Sequence, residues 1–397
     1  MPRHLPPTAV PIAASDLLHA LRPPSQARAC FQTALARYLG VRTCKLASSG
    51  RAALYLLLKQ LSKTAGRGGR REVIMPAYTC PSLAKVALDA KLHPRFIDIS
   101  AHTLAFEDER LEASINEHTL AVICVHPFGI PQSTEKVRAL AQAAGTVVIE
   151  DAAQSMGARL EEHLAGTQGD FGLFSLGPGK PLSTGGGGIL CTNSDHQAWQ
   201  IEQAWHKLPG ASFTASVWAL SRLVSLSLAF HPLGWWLVTR ARLHRVGDHE
   251  ASWGFSLRGL TDVQAAIGIA LLERLDAINH QRAENADQLI AQLQELEFLH
   301  IPPPAAKTQP IYLRLPVLID DEDRRERLFR RLWAAGIGVG RMYRQSLPEL
   351  FPQAGTESYP GADYVASHLL TLPTHHYLTP MHIQHISEIF RAESRAA

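Results

Sequence analysis

The 397-residue sequence predicts an α/β protein: a large domain built on a mostly parallel sheet with helices on both faces, then a smaller C-terminal α+β domain. Three observations lead there. Short apolar runs at 73–75, 95–98, 121–125, 146–149, 173–175 and 189–192 alternate with helical segments, the pattern of strands joined by crossover helices. The composition, 46% hydrophobic and 19% charged, can fill one large core and a smaller second one. Beyond a proline-rich joint at 302–304, a new unit begins with a strand over 311–319, a charged helix over 323–335 and a Gly-punctuated strand over 336–343.

Residues 1–25 read as an extended N-terminal arm, because prolines interrupt the apolar stretch a signal peptide requires. Phe31, Leu35, Tyr38 and Leu39 predict a helix over 26–39 that stops at Gly40. A second helix starts near Ser49, with a body over 51–61 and a Ser-Ser-Gly turn able to cap it. The large domain spans 26–260 and carries an insertion over about 205–249, rich in Trp, Leu and Val and then in Arg. An amphipathic helical region over 261–296 opens the small domain, 261–397.

Within the insertion, 217–238 is nearly long enough to cross a bilayer, but Arg222, His231 and Pro232 interrupt it. Two readings stand. One is a helical hairpin packed at a dimer interface or over the active site. The other is a peripheral membrane contact with Arg240, Arg242 and Arg245 toward lipid headgroups.

Lys plus Arg (39) nearly balance Asp plus Glu (36), and no long basic run occurs, which argues against a nucleic-acid partner. The five cysteines lie far apart without a C-x-x-C pair, so neither a disulfide framework nor a zinc site is indicated. A reducing, cytoplasmic setting fits that usage.

The chemistry concentrates in VVIEDAAQSMGA and GDFGLFSLGPGKPLSTGGGG. Asp151 ends an apolar strand, at the carboxyl edge where open α/β sheets present ligand sites. A buried carboxylate there can keep the ring nitrogen of pyridoxal phosphate protonated, and Lys180, in a Gly/Pro turn after another strand, can form the imine with its aldehyde. Taken singly, a lysine in a Gly-rich loop is usually solvated and a Glu-Asp pair after a strand is often a helix cap. A nucleotide phosphate loop is excluded, because Phe174 stands where the first glycine of G-x-x-x-x-G-K belongs and Pro181 replaces the Ser/Thr.

Six ordered segments carry a resemblance: ASSGRAAL (47–54), VIMPAYTCPS (73–82), VHPFGIP (125–131), EDAAQSMGA (150–158), GDFGLFSLGPGK (169–180) and LTDVQAAIGIALLERLD (260–276). Together they make the chain similar to the DegT/DnrJ/EryC1/StrS family of sugar aminotransferases, of the aspartate-aminotransferase-like fold type I. The resemblance implies pyridoxal 5'-phosphate as cofactor, with Lys180 as its Schiff-base lysine and Asp151 facing the pyridine nitrogen. Gln154 matches the glutamine near the 3'-hydroxyl, Ser175 the serine contacting the phosphate, and Gly50, Arg51 and Ala52 the helix-start turn that cradles it. Ser49 reads equally as ligand or plain N-cap.

Other positions depart from the family pattern. Arg51 stands where threonine is common and either pairs with the phosphate or points to solvent. Cys80 takes the place of an aromatic ring over the cofactor. Ser256 replaces an asparagine that in relatives crosses a dimer interface, and Gly186 replaces a glutamate. His126 either borders the substrate or is a satisfied buried histidine, and Tyr343 either reaches the acceptor or packs. The implied activity is transfer of an amino group, from glutamate, to a keto group of a nucleotide-linked sugar by a homodimer. A lipid-linked or other non-sugar acceptor, and a non-catalytic cofactor-binding regulator, are the alternatives.

Overall fold

The computed structural model describes residues 4–9, 11–66, 69–240, 254–355 and 357–395. The central sheet has seven strands: β1 (Thr43–Ala47), β2 (Glu72–Pro76), β3 (His93–Ile97), β4 (Thr119–Val125), β5 (Val147–Asp151), β8 (Phe171–Ser175) and β9 (Gly188–Thr192); the two-residue strands β6 (Arg159–Leu160) and β7 (His163–Leu164) pair with each other between β5 and β8 in the chain. The spatial order is β1-β9-β8-β5-β4-β2-β3. Neighbours from β8 to β3 run parallel, whereas β9 runs against both β8 and β1. This is the mostly parallel α/β sheet that the alternating apolar runs predict.

Successive side chains of each strand feed opposite layers. Val73, Met75, Ile123 and Ile149 pack with Leu54, Leu57 and Leu58 of α3 (Gly50–Thr64) and Leu83 and Val86 of α4 (Pro81–Asp89); α1 (Ala14–Ala20) and α2 (Ala27–Leu39) precede these helices in the chain. Ile74, Val122, Cys124 and Val148 point the other way, onto Leu111 of α5 (Asp108–Ser114) and Val137 and Ala141 of α6 (Glu135–Ala144). Every residue of β4 except Val125 is buried, as both-face coverage of a parallel sheet requires.

After β9 come α7 (Asp195–Trp205), α8 (Phe213–Ala229), α9 (Pro232–Arg240), α10 (Asp262–Leu272) and α11 (Leu275–Leu293). The smaller unit pairs β10 (Leu299–His300) with β12 (Leu315–Ile319) and β12 with β13 (Leu369–Leu372), all antiparallel, while β11 (Thr308–Gln309) adds to β6. It is completed by α12 (Glu322–Ala334), capped by Asp321, and by the helix Pro380–Ser394.

Several details differ from the sequence expectation. Strand β1 was not anticipated, because Thr43 and Lys45 break its apolar run; β9 covers it along its length. The helical region over 261–296 is two helices interrupted at 273–274, and α10 packs with α1, α2 and α8 in the large unit's core rather than beyond residue 260. The stretch 336–343 makes only isolated bridges, Ile337 with Leu5 and Gly340 with Thr371. Its edge is taken by the N-terminal arm: Leu5 N–H donates to Gly336 O and Gly338 N–H to Leu5 O, both at 2.7 Å. The arm is therefore docked and partly helical: Leu5 joins the small unit's apolar core, and Thr8 lies against Gly179.

In the insertion, α8 and α9 form a pair bent by 88°, and among the described residues no single helix is long and apolar enough to cross a membrane. Residues 241–253, with Arg242 and Arg245, lie outside the described residues. One face of the pair packs, through Leu223 and Trp235. Phe213, Val217, Trp218, Leu228, Leu233 and Leu237 are exposed, so the apolar stretch is not buried within this chain.

Gly172 shows how tightly β8 is held, since a Cβ there would lie 1.9 Å from Gly166 O and 2.8 Å from Cys191 Sγ. The nearer atom is backbone and cannot swing away. Gly172→Ala is expected to destabilise the fold by about 3 kcal/mol, read as a lower urea midpoint with unchanged slope.

Candidate active site

Parallel pairing brings the carboxyl ends of the strands to one edge of the sheet, with Asp151 level with Val125 on β4 and Leu173 on β8. Backbone there leaves the hydrogen-bonding ladder, and loops from separate strands meet around a cavity of about 610 Å³. The turn after β1 contributes Ser49, Gly50 and Arg51; the turn after β2, Cys80; the end of β5, Asp151 and Gln154; and the segment after β8, Ser175 and Lys180. Ser256, His126 and Tyr343 also line it.

Asp151 is buried, and its Oδ1 accepts from the Ala153 N–H at 3.0 Å. Among the described residues, no hydrogen bond reaches Oδ2. Burial pushes its pKa up, against the opposing pull of that N–H, of Lys180 and of His126. Lys180 shows the mirror effect: burial pushes its amine down, helped by Arg314 and opposed by Cys80 and Asp151. A lysine in that condition is more often a neutral nucleophile than a solvated one.

Glu150, one residue earlier, points to the opposite side of β5 and is saturated. It accepts from His126 Nε2 at 2.9 Å, the Gly166 N–H at 2.9 Å, the Gln168 N–H at 2.6 Å and the Gly169 N–H. Burial alone would raise its pKa, but His126 and these backbone donors outweigh it and hold the carboxyl below its usual value. The Gln132 N–H donates to His126 Nδ1 at 3.0 Å, so the proton sits on Nε2, facing Glu150. His126 therefore lines the cavity as the satisfied buried histidine, with both nitrogens spent and none left for a substrate.

Ser49, which also lines the cavity, is the N-cap of α3, its Oγ accepting from the Ala52 N–H at 3.1 Å. Ala52, expected at the cofactor, is wholly buried, does not line the cavity, and has its N–H taken by this cap. Gly50 and Arg51 do line it, with Ser175 beside Gly50. Gln154 Oε1 accepts from the Phe128 N–H at 3.2 Å. Ser256 lies at the mouth, with its carbonyl accepting from Ser48 Oγ of the same chain. Tyr343 is buried over the cavity and hydrogen-bonds the Cys80 thiol; burial, then Cys80, raise its pKa well above the usual value.

Sequence reading missed three arginines here. Arg222, noted only as a break in an apolar stretch, lines the cavity, as does Arg258. Arg314 is buried near Lys180 and Tyr343, its pKa lowered by burial to about 10. A charge interrupting the apolar run was the one signal for Arg222; nothing in the local pattern marked the others. Phe255 packs on Tyr55 with ring centroids 5.5 Å apart, an aromatic pair at the rim.

The chain belongs to the DegT/DnrJ/EryC1/StrS aminotransferase family, whose model matches residues 25–391, and it is an aminotransferase. It is 28% identical over 335 residues to the lipopolysaccharide biosynthesis protein RfbH of Salmonella typhimurium, covering 80% of this chain and 72% of that protein. It is 31% identical over 265 residues to an L-glutamine:2-deoxy-scyllo-inosose aminotransferase of Streptoalloteichus tenebrarius, covering 67% of this chain and 56% of that one. In fold it is similar to Helicobacter pylori PseC, an aminotransferase involved in pseudoaminic acid biosynthesis, with a TM-score of 0.80 at 18% identity over 99% of this chain and 100% of the other. The aspartate-aminotransferase-like fold implied by the resemblance is thus the one this chain adopts.

Replacing Glu150 by Gln would leave its backbone donors facing an amide, and is expected to cost about 3 kcal/mol of unfolding free energy at neutral pH. Because the folded carboxyl is held below its unfolded value of about 4.3, its contribution is full above that value. It disappears as pH falls through the folded value. Urea titrations should show wild type losing stability more steeply than Glu150→Gln below about pH 4.

Proposed function

We propose that the chain is a pyridoxal-phosphate-dependent aminotransferase that moves an amino group from glutamate to a keto group of a nucleotide-linked sugar. One observation carries the cofactor assignment: a half-buried lysine whose amine is shifted down and a buried aspartate with an oxygen that no described residue reaches line the same cavity. The donor set fits the group. Asp151 Oδ2 calls for a protonated ring nitrogen, Lys180 for an aldehyde carbon, and the turn at 49–51 with Ser175 for a phosphate. Gln154 keeps its amide nitrogen for a ring hydroxyl.

Bound there, pyridoxal phosphate supplies an electron sink for the charge left at the donor carbon. Asp151 holds the proton on the ring nitrogen. Lys180 Nζ would hold the cofactor through its aldehyde carbon and, when free, would carry the proton from the donor carbon to the carbon on the far side of the amino nitrogen. The lowered basicity that burial gives this amine suits both tasks. For the keto acceptor the same amine acts in the reverse order. Tyr343 closes one wall and excludes water. The similarity to RfbH, a lipopolysaccharide biosynthesis protein, and to PseC, of pseudoaminic acid biosynthesis, supports a sugar acceptor, and the full set Asp151, Gln154, Ser175 and Lys180 argues against a regulator without turnover.

The second copy is the occupant we assign to the exposed apolar face of α8 and α9, which carries no acidic residue. The separate cores support a large and a small unit, with α10 belonging to the large one and the boundary therefore falling after residue 272 rather than at 260. Light scattering should give a dimer, and Trp218→Glu should shift it toward monomer. Cosedimentation of monomeric protein with anionic vesicles would instead favour a membrane contact and a lipid-linked acceptor.

The purified protein should show a near-visible absorbance with pyridoxal phosphate that bleaches on adding glutamate and releases 2-oxoglutarate. Borohydride should fix the cofactor on the peptide containing Lys180. Lys180→Ala should remain folded and lose turnover by at least about a thousandfold. Wild-type transamination by Lys180→Ala would remove the proposal.

A further inference from the structure

We infer that Arg222, carried into the cavity by the inserted helix α8, is a second guanidinium for the cofactor phosphate, acting with Arg51 from within the same chain. The inference rests on the cofactor reading above and deepens it, because it assigns a role to a segment outside the six family-like motifs.

The placement of α8 is fixed by packing. Ser212 caps its first turn, accepting from the Ala215 N–H at 3.2 Å, and Leu223 is wholly buried. A Cβ added to Gly185 would lie 3.2 Å from Leu223 Cδ2, so α8 rests directly on the glycine turn that enters β9. Arg222, the neighbour of that anchor, is thereby turned toward the site. A Cβ added to Gly186 would lie 3.9 Å from one of its terminal nitrogens and equally far from the Ser48 carbonyl. The guanidinium therefore stands beside the turn that starts α3.

Charge then identifies the ligand. Among the described residues Arg222 forms neither a hydrogen bond nor an ion pair, and the charge acting on it is that of Arg51. Burial, then that like charge, lowers its pKa. A guanidinium with no partner among the described residues, set beside a like charge, favours an anion next to it. The same cavity carries the N-terminus of the fifteen-residue helix α3, the hydroxyl-bearing Ser49 and Ser175, and Gly50, where backbone can approach a ligand closely. Helix N-terminus, hydroxyls and two arginines suit a phosphate monoester, which carries close to two negative charges at neutral pH. Asp151 and Lys180 are suited instead to a ring nitrogen and an aldehyde, so the two sets of groups lining this cavity fit the two parts of one molecule.

The test compares pyridoxal phosphate with pyridoxal, which keeps the aldehyde and ring nitrogen and lacks the phosphate. Equilibrium titrations followed by absorbance, on apo-protein of wild type, Arg222→Gln and Arg222→Lys, give both affinities without reliance on turnover. Arg222→Gln should weaken pyridoxal phosphate at least about tenfold and leave pyridoxal within twofold, with Arg222→Lys intermediate. Inorganic phosphate should compete with pyridoxal phosphate for wild type at lower concentration than for Arg222→Gln. An unchanged affinity for pyridoxal phosphate in Arg222→Gln overturns the assignment, as does an equal loss for both aldehydes, which would mean that Arg222 only positions α8. Arg222→Lys, with the same charge and a similar stem, separates these outcomes if Arg222→Gln melts early. Failure of wild type to bind either aldehyde would instead sink the cofactor reading itself.

Discussion

The site is organised around a carboxylate that takes no part in it. Glu150 is buried beneath the carboxyl edge of the sheet and accepts from His126 and from the Gly166, Gln168 and Gly169 N–H groups. These partners belong to the segment that ends β4 and to the loop that leads into β8, so one side chain ties three adjacent strands together. A buried charge is tolerated only when its lone pairs are filled. Filling them here fixes the imidazole tautomer, the loop path and the starting point of the strand that delivers Ser175 and Lys180.

Alternation along β5 does the rest. Successive residues of a strand face opposite sides, so a saturated Glu150 on one side obliges Asp151 to face the cavity. The two carboxyls are consecutive and chemically alike, yet their environments drive their pKa values in opposite directions. Donors surround the first, while the second has one backbone donor and a cavity. Lys180 completes the contrast as a cation shifted down by the burial that shifts Asp151 up. The site thus holds two uncompensated groups poised for a ligand, supported by a compensated one that is inert.

The inserted pair α8–α9 shows how an addition outside the common core can enter a site. Its apolar side chains divide into a packed set around Leu223 and Trp235 and an exposed set around Trp218 and Leu228. Arg222 belongs to neither set and faces the cavity. An apolar run interrupted by one arginine is thus explained by three-sided use of a single helix.

The alternation of apolar runs determined the α/β class; Gln154 and Ser175 were legible only through the family resemblance, whereas Asp151 and Lys180 were legible because each follows a strand end or a glycine turn, where local chemistry is constrained. The N-cap role of Ser49 and the left-handed stop at Gly40 were legible for the same reason. Only tertiary structure decided that β1 is a strand, that the N-terminal arm edges the stretch near Gly338, that His126 is spent on Glu150 and Gln132, that Arg222 and Arg258 line the cavity, and that Arg314 stands near Lys180. Those outcomes depend on contacts between residues tens to hundreds of positions apart, whose free energy comes from burial and charge pairing in three dimensions. Local sequence periodicity carries no information about them.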